Sequence, residues 1–136
     1  MALKHHGVIR VVSNVLTKPA NLKLAALAVT VAIAWLTLSP WASSPQSLRF
    51  DQADKLWHFL AFFTWGTLVA VSWTRPFWQL LVGGLVFGGV IELIQPFVGR
   101  DAELADLGAD LLGSGVGVWA GTSIRSRNKR KHGTEK

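Results

Sequence analysis

Between Leu24 and Thr122 the chain is largely apolar, and polar breaks of 17, three and five residues divide it into four hydrophobic stretches. The first runs from about Leu24 to Leu38, after Lys23 and before Ser39-Pro40. The second runs from about Leu56 to Trp73 and ends at Thr74-Arg75-Pro76. The third covers about Phe77 to Val98, and the fourth about Leu104 to Thr122 after the link Gly99-Arg100-Asp101. A helix needs about 20 apolar residues to cross a bilayer core, and stretches this poor in charge offer water no solvated face. Composition agrees, with 50% hydrophobic residues, 16% charged residues and a mean hydropathy of +0.34. Short links make consecutive helices neighbours. The sequence therefore predicts an all-α fold, an integral membrane antiparallel four-helix bundle over residues 22–122. A basic N-terminal segment (1–21) and a basic tail (123–136) flank it.

Charge sets the expected orientation. The chain before the first stretch carries Lys4, Arg10, Lys18 and Lys23, the second link Arg75, and the tail Arg125, Arg127, Lys129, Arg130, Lys131 and Lys136. The opposite side carries only Arg49, Lys55 and Arg100, among Asp51, Asp54, Asp101, Glu103 and Asp106. By the excess of lysine and arginine in cytoplasmic loops, both termini of a multi-pass protein of the bacterial cytoplasmic membrane should be cytoplasmic, with the acid-rich links outside. The formal charge of +6 lies at the ends and beside apolar runs rather than along one face, which argues against a nucleic-acid partner. Membrane lipids are the expected surroundings, and the basic tail reads as a cytoplasmic anchor. Without cysteine there is no disulfide and no thiolate metal or redox site. The apolar run after the basic N-terminus is long, and the nearest small pair, Ala42 and Ser44, is followed by Pro45, which disfavours cleavage, so an uncleaved anchor is expected. Val8, Val11, Val12 and Val15 share a helical face opposite Arg10 and Lys18, the pattern of an interfacial helix. Trp41, Trp57 and Trp73 stand near predicted span ends, where tryptophan anchors to the interface. His5, His6 and His132 are expected to be solvated.

Seven of the eight acids lie between Asp51 and Asp110, and Glu92 and Asp110 interrupt apolar or glycine-rich stretches. Helical spacing puts Gly84, Gly88, Glu92 and Gln95 on one stripe of the third span. It puts Asp106, Asp110, Gly113, Gly117 and Gly121 on one stripe of the fourth, and the two stripes are expected to face each other. Glu92 and Asp110 each stand about six residues inside their spans, about 9 Å at helical rise. Two carboxylates at one depth in a low dielectric need protonation, pairing or a metal. Arg100 in the link above, and Asp54, Lys55 and His58 at the start of the second span, are the expected partners, with Asp54 and His58 one turn apart.

Asp54-Lys55-x-x-His58-Phe59, then Glu92-x-x-Gln95 with Gly99-Arg100, then Asp106-x-x-x-Asp110-x-x-Gly113 resemble the motifs of the VanZ-like family in the same order, over about residues 35 to 121. The chain departs from the family at Asp110, where asparagine is more usual, and lacks the residue, commonly proline, that often precedes Gly99-Arg100. The resemblance implies a small integral membrane protein acting at the cell envelope. The name-giving member is associated with reduced susceptibility to teicoplanin, a glycopeptide that binds cell-wall precursors outside the membrane. A cell-envelope precursor or glycopeptide is therefore an expected partner.

The candidate polar cluster is Asp54, Lys55, His58, Glu92, Gln95, Arg100, Asp106 and Asp110. Each member also has a plainer reading: Asp54 as a helix cap with a rim ion pair, Glu92 with Gln95, Arg100 and Asp106 as a packing network, Asp110 as a protonated acid bonded across the bundle. No His-Glu-x-x-His, Gly-x-Ser-x-Gly or phosphate-binding glycine loop is present. Gly113-Ser114-Gly115 is not expected to be a nucleophile site, since Ser114 falls deeper than the cluster and off its stripe. His58, Glu92, Asp106 and Asp110 are hard donors suited to a metal, but their spacing is not diagnostic, and the sequence specifies no cofactor. The leading reading is a non-catalytic membrane protein. Alternatives are a membrane enzyme acting on a lipid-linked or cell-wall substrate, with Glu92 or Asp110 as general acid or base and Arg100 on an anionic group, and a proton- or ion-coupled transporter using the acidic pair, which four spans without an evident inverted repeat disfavour unless the chain oligomerises.

Overall fold

The computed structural model describes residues 18–39 and 51–133. The valine-faced segment, His5, His6 and Trp41 lie outside the described residues, as does the side chain of His132. Among the described residues all long elements are α-helices: α1 (Pro19–Leu38), α2 (Asp51–Ser72), α3 (Phe77–Ile94) and α4 (Leu104–Gly133), with a 3₁₀ turn at Gln95–Val98.

Local chemistry explains the boundaries. Helix α1 starts five residues before the apolar run, because Pro19 stands at its first position, where its fixed φ suits a helix and no N–H is wasted. Pro76 stands one position further out, as the extended residue just before α3. The third stretch does not stay α-helical to Val98. Pro96 cannot donate to the ladder, and the chain tightens into the 3₁₀ turn. Gly99 ends that turn at φ 77°, a conformation that suits glycine, and the Arg100 N–H returns to the Gln95 carbonyl at 3.0 Å. Helix α4 does not stop at Thr122 but runs on through the basic segment.

The sequence pattern misplaces one contact surface. Gly84 and Gly88 of α3 do face α4, but they meet Ser114 and Asp110 rather than glycines. Gly113, Gly117 and Gly121 turn instead to α2, where a methyl group on them would collide with the main-chain oxygens of Phe59, Phe63 and Thr67. These contacts advance together along both helices, and α2 with α4 is the most extensive pairing in the molecule. Gly66 of α2 is equally close to the Ser114 backbone, so this seam is narrow from both sides.

Beside the seam lies an apolar core of Ile33, Phe62, Trp65 and Ile91. Phe87 joins it, with ring centroids 5.3 Å from Phe62 and 5.7 Å from Trp65. Trp65 Nε1 donates to Thr30 Oγ1 at 3.0 Å, so the one polar atom of this ring is bonded where it is half enclosed. Ala70, Leu80 and Val118 form a second core toward the other end.

The outer surface is strongly apolar: Trp35 and Leu93 are each 73% exposed and Phe97 88%. Pro19–Leu38 and Phe77–Val98 are long and apolar enough to cross a membrane, and little of either is buried inside the molecule. Helices α2 and α4 are 22 and 30 residues long but carry the acidic cluster and the basic segment.

Arg125 closes the second core. Its guanidinium donates to the carbonyls of Ala70 at 2.7 Å and Trp73 at 2.6 Å, groups left without helical partners where α2 ends. Arg125→Met keeps the apolar stem and removes both bonds. It is expected to lower stability by about 1–2 kcal/mol, read as a lower midpoint in a thermal melt of the purified chain.

Candidate functional site

The site lies where α1 and α3 end and α2 and α4 begin. Asp54, Lys55 and His58 come from the first two turns of α2, with Asp54 and His58 one turn apart on one face. Glu92 stands on the last turn of α3, Gln95 in the 3₁₀ turn and Arg100 in the link. Asp106 and Asp110 stand one turn apart near the start of α4.

His58 is the centre of the set. Its Nδ1 is 2.9 Å from Asp110 Oδ1, and its Nε2 is 4.0 Å from Asp106 Oδ2. His58 and Asp106 are each 3% exposed and Asp110 is wholly enclosed. Gly88 makes this enclosure feasible, since a side chain there would overlap Asp110. Glu92 is held from two sides. Its Oε2 accepts the Glu103 main-chain N–H at 2.9 Å, and the Gln95 amide nitrogen, turned toward it, donates at 3.2 and 3.3 Å.

The rim is tied to this interior. Arg100 donates to the Thr37 carbonyl at 3.0 Å, satisfying the end of α1, and to Asp54 Oδ2 at 3.5 Å. Lys55 pairs with Glu103 at 3.2 Å. Arginine thus reaches Asp54 and not Glu92, whose partners are the Glu103 main chain and Gln95. All eight residues singled out from the sequence gather at this end in three bonded groups: Asp54 with Arg100, Lys55 through Glu103 to Glu92 and Gln95, and His58 between Asp106 and Asp110. Donor atoms of Asp54 and of Glu92 lie within 4.8 Å of the His58 group.

Two members escaped the sequence reading. Glu103 looked like an ordinary outer-link acid, and the bond it gives Glu92 is a main-chain one that no residue type announces. Ser114 was set apart from the Asp106-Asp110 stripe, yet it shares that face one turn below Asp110, fully buried against Gly84 and Gly66. Its i, i+4 spacing from Asp110 was the available signal.

Among the described residues, several buried polar atoms have no hydrogen-bond partner: Asp106 Oδ1, Asp110 Oδ2, Ser114 Oγ and Arg100 Nε. Three of the four lie on one face of α4. Such groups are uncommon in proteins and cost free energy when left bare.

Comparison with protein-family models, with curated proteins and with solved structures returns no match.

Proposed function

We propose that this chain is a VanZ-like membrane protein, an antiparallel four-helix bundle of the bacterial cytoplasmic membrane, whose polar cluster binds a cell-envelope component at the outer face. The observation that carries the reading is the joining of eight polar residues at one end of a molecule whose flanks are apolar. The apolar, largely exposed Pro19–Leu38 and Phe77–Val98 support residence in a bilayer, since a core helix of a water-soluble protein would be mostly covered. The charge distribution supports the orientation. Lys23, Arg75 and Arg125 stand at the end opposite the acids, as expected of a cytoplasmic face. The motif order and the polar cluster together support a role in glycopeptide susceptibility.

The test is drug-susceptibility profiling of a deletion strain complemented with wild type, Glu92→Ala or Arg100→Ala. Wild type is expected to restore teicoplanin-type susceptibility to its original level, and both variants to fail while reaching the same membrane level on an immunoblot. Equal performance of wild type and both variants, in a host where deletion has an effect, would sink the reading.

A further inference from the structure

We propose that Asp54, His58 and Asp106 form a binding site for one divalent cation, Mn²⁺ or Zn²⁺, with Asp110 fixing the imidazole that faces it. The proposal stands on side-chain geometry and holds whether or not the cluster serves the cell envelope.

The imidazole is the first part of the argument. The 2.9 Å contact between His58 Nδ1 and Asp110 Oδ1 is a hydrogen bond, and with Asp110 ionised Nδ1–H is its donor, since a carboxylate only accepts. A neutral imidazole held this way presents the lone pair of Nε2 on its opposite edge. A carboxylate behind the histidine is what metal-ligating imidazoles ordinarily have, because it fixes the tautomer and raises the basicity of the ligating nitrogen.

The Nε2 edge faces Asp106. Its separation from Asp106 Oδ2 is 4.0 Å, too long for a hydrogen bond. It is near the distance between two ligands placed on either side of one cation, each about 2.0–2.2 Å from it. The Asp54 carboxylate completes the group, one donor atom from each of the three residues lying within 4.8 Å of the others. Two carboxylates and a neutral imidazole would balance a doubly charged ion.

An independent observation points the same way. Asp106 is 3% exposed, and its Oδ1 has no partner. A buried carboxylate with an unused oxygen is costly, and a cation held by both of its oxygens would offset that cost. Asp54, by contrast, has a side chain 37% exposed, which gives an ion a way in and leaves coordination positions open toward the outer rim. Arg100 bonds one of its oxygens at 3.5 Å and steadies it.

A second grouping, His58 with Glu92 and Asp110, is as close. There Glu92 already accepts from the Glu103 N–H and from Gln95, and Asp110 holds His58 Nδ1, whereas in the first grouping Asp106 has an oxygen without a partner. That assigns Asp110 to positioning and the cation to the Asp54 side. One imidazole with two carboxylates suits Mn²⁺ or Zn²⁺ better than thiolate-seeking ions.

The test uses the full chain purified in detergent and stripped with a chelator, titrated calorimetrically with MnCl₂ and with ZnCl₂, with melting temperature read in parallel. One equivalent of at least one of these ions is expected to bind wild type and raise its melting temperature. Asp106→Asn and Asp54→Asn are expected to weaken that binding about a hundredfold or more, and Asp110→Asn about 10–100-fold. Glu92→Gln is expected to bind as wild type does. Asp54 lies at the rim, so Asp54→Asn keeps the test valid if Asp106→Asn fails to fold. Absence of binding by wild type at millimolar metal, or equal affinity in wild type and Asp54→Asn, would overturn the proposal. Neither result bears on the susceptibility test, which can succeed with an empty site.

Discussion

Gly117→Leu is expected to leave no folded protein. The substituted residue would sit where α4 lies against the Phe63 carbonyl and the Thr67 N–H of α2, and even a methyl group there would collide with main-chain atoms. Main chain cannot swing aside as a side chain can, so the helices would have to part. Parting them would release the neighbouring contacts at Gly113 and Gly121 and open the Val118 core. Overpacking inside a yielding core costs about 1–3 kcal/mol, and a rigid seam between two backbones should exceed that range. The expected readout is aggregation in size-exclusion chromatography after detergent extraction. Gly115→Leu serves as the control, because a methyl group on Gly115 would meet only the end of the Leu81 side chain, at 3.7 Å. A monodisperse Gly117→Leu protein melting near wild type would show that the α2–α4 seam is not as close as described.

The second large effect is electrostatic. Asp110→Ala removes the partner of His58 Nδ1 from a place that water does not reach, and leaves a polar ring edge facing an alanine. Breaking a buried pair from one side costs about 3–5 kcal/mol. Asp110→Asn should cost much less, because the amide oxygen still accepts from Nδ1–H. His58→Leu should also be costly, since it strips Asp106 and Asp110 of the group between them. The double variant His58→Leu/Asp110→Ala is expected to cost less than the sum of the singles, with a coupling of about 0.5–3 kcal/mol. Thermal or denaturant unfolding of the four proteins measures it, and strict additivity would mean that the two side chains do not form a pair.

The particular residues show why parts of this site were legible early. Asp54 and His58, and likewise Asp106 and Asp110, are spaced by one helical turn, so period alone puts each pair on one face. Acids inside apolar runs stand out because burying them alone is expensive. The glycine stripe of α4 was equally visible, but its direction was not. Glycine spacing says that something approaches closely, and α2 and α3 are both available to approach. Arg100 was visible as a partner and Asp54 as a candidate, yet their pairing depends on where the Gly99 turn sends the link. The Glu103 bond to Glu92 could not be read at all, because its donor is the main chain.

The sequence by itself determined what is local: helical elements from apolar runs, and the faces on which Glu92, Asp106 and Asp110 lie. The helix start at Pro19 and the tightened turn at Pro96 are local as well, but hydropathy alone, which put the span limits at Leu24 and Val98, does not mark them. Each depends on residues within a turn or two of one another, where backbone geometry leaves few choices. Only the tertiary structure decided which faces meet. It sent Gly113, Gly117 and Gly121 to α2, set His58 between Asp106 and Asp110, brought Asp54 within reach of both His58 and Asp106, and left one Asp106 oxygen without a partner. Those outcomes rest on packing between segments about 50 residues apart, where shape and close approach choose among partners that local spacing treats alike.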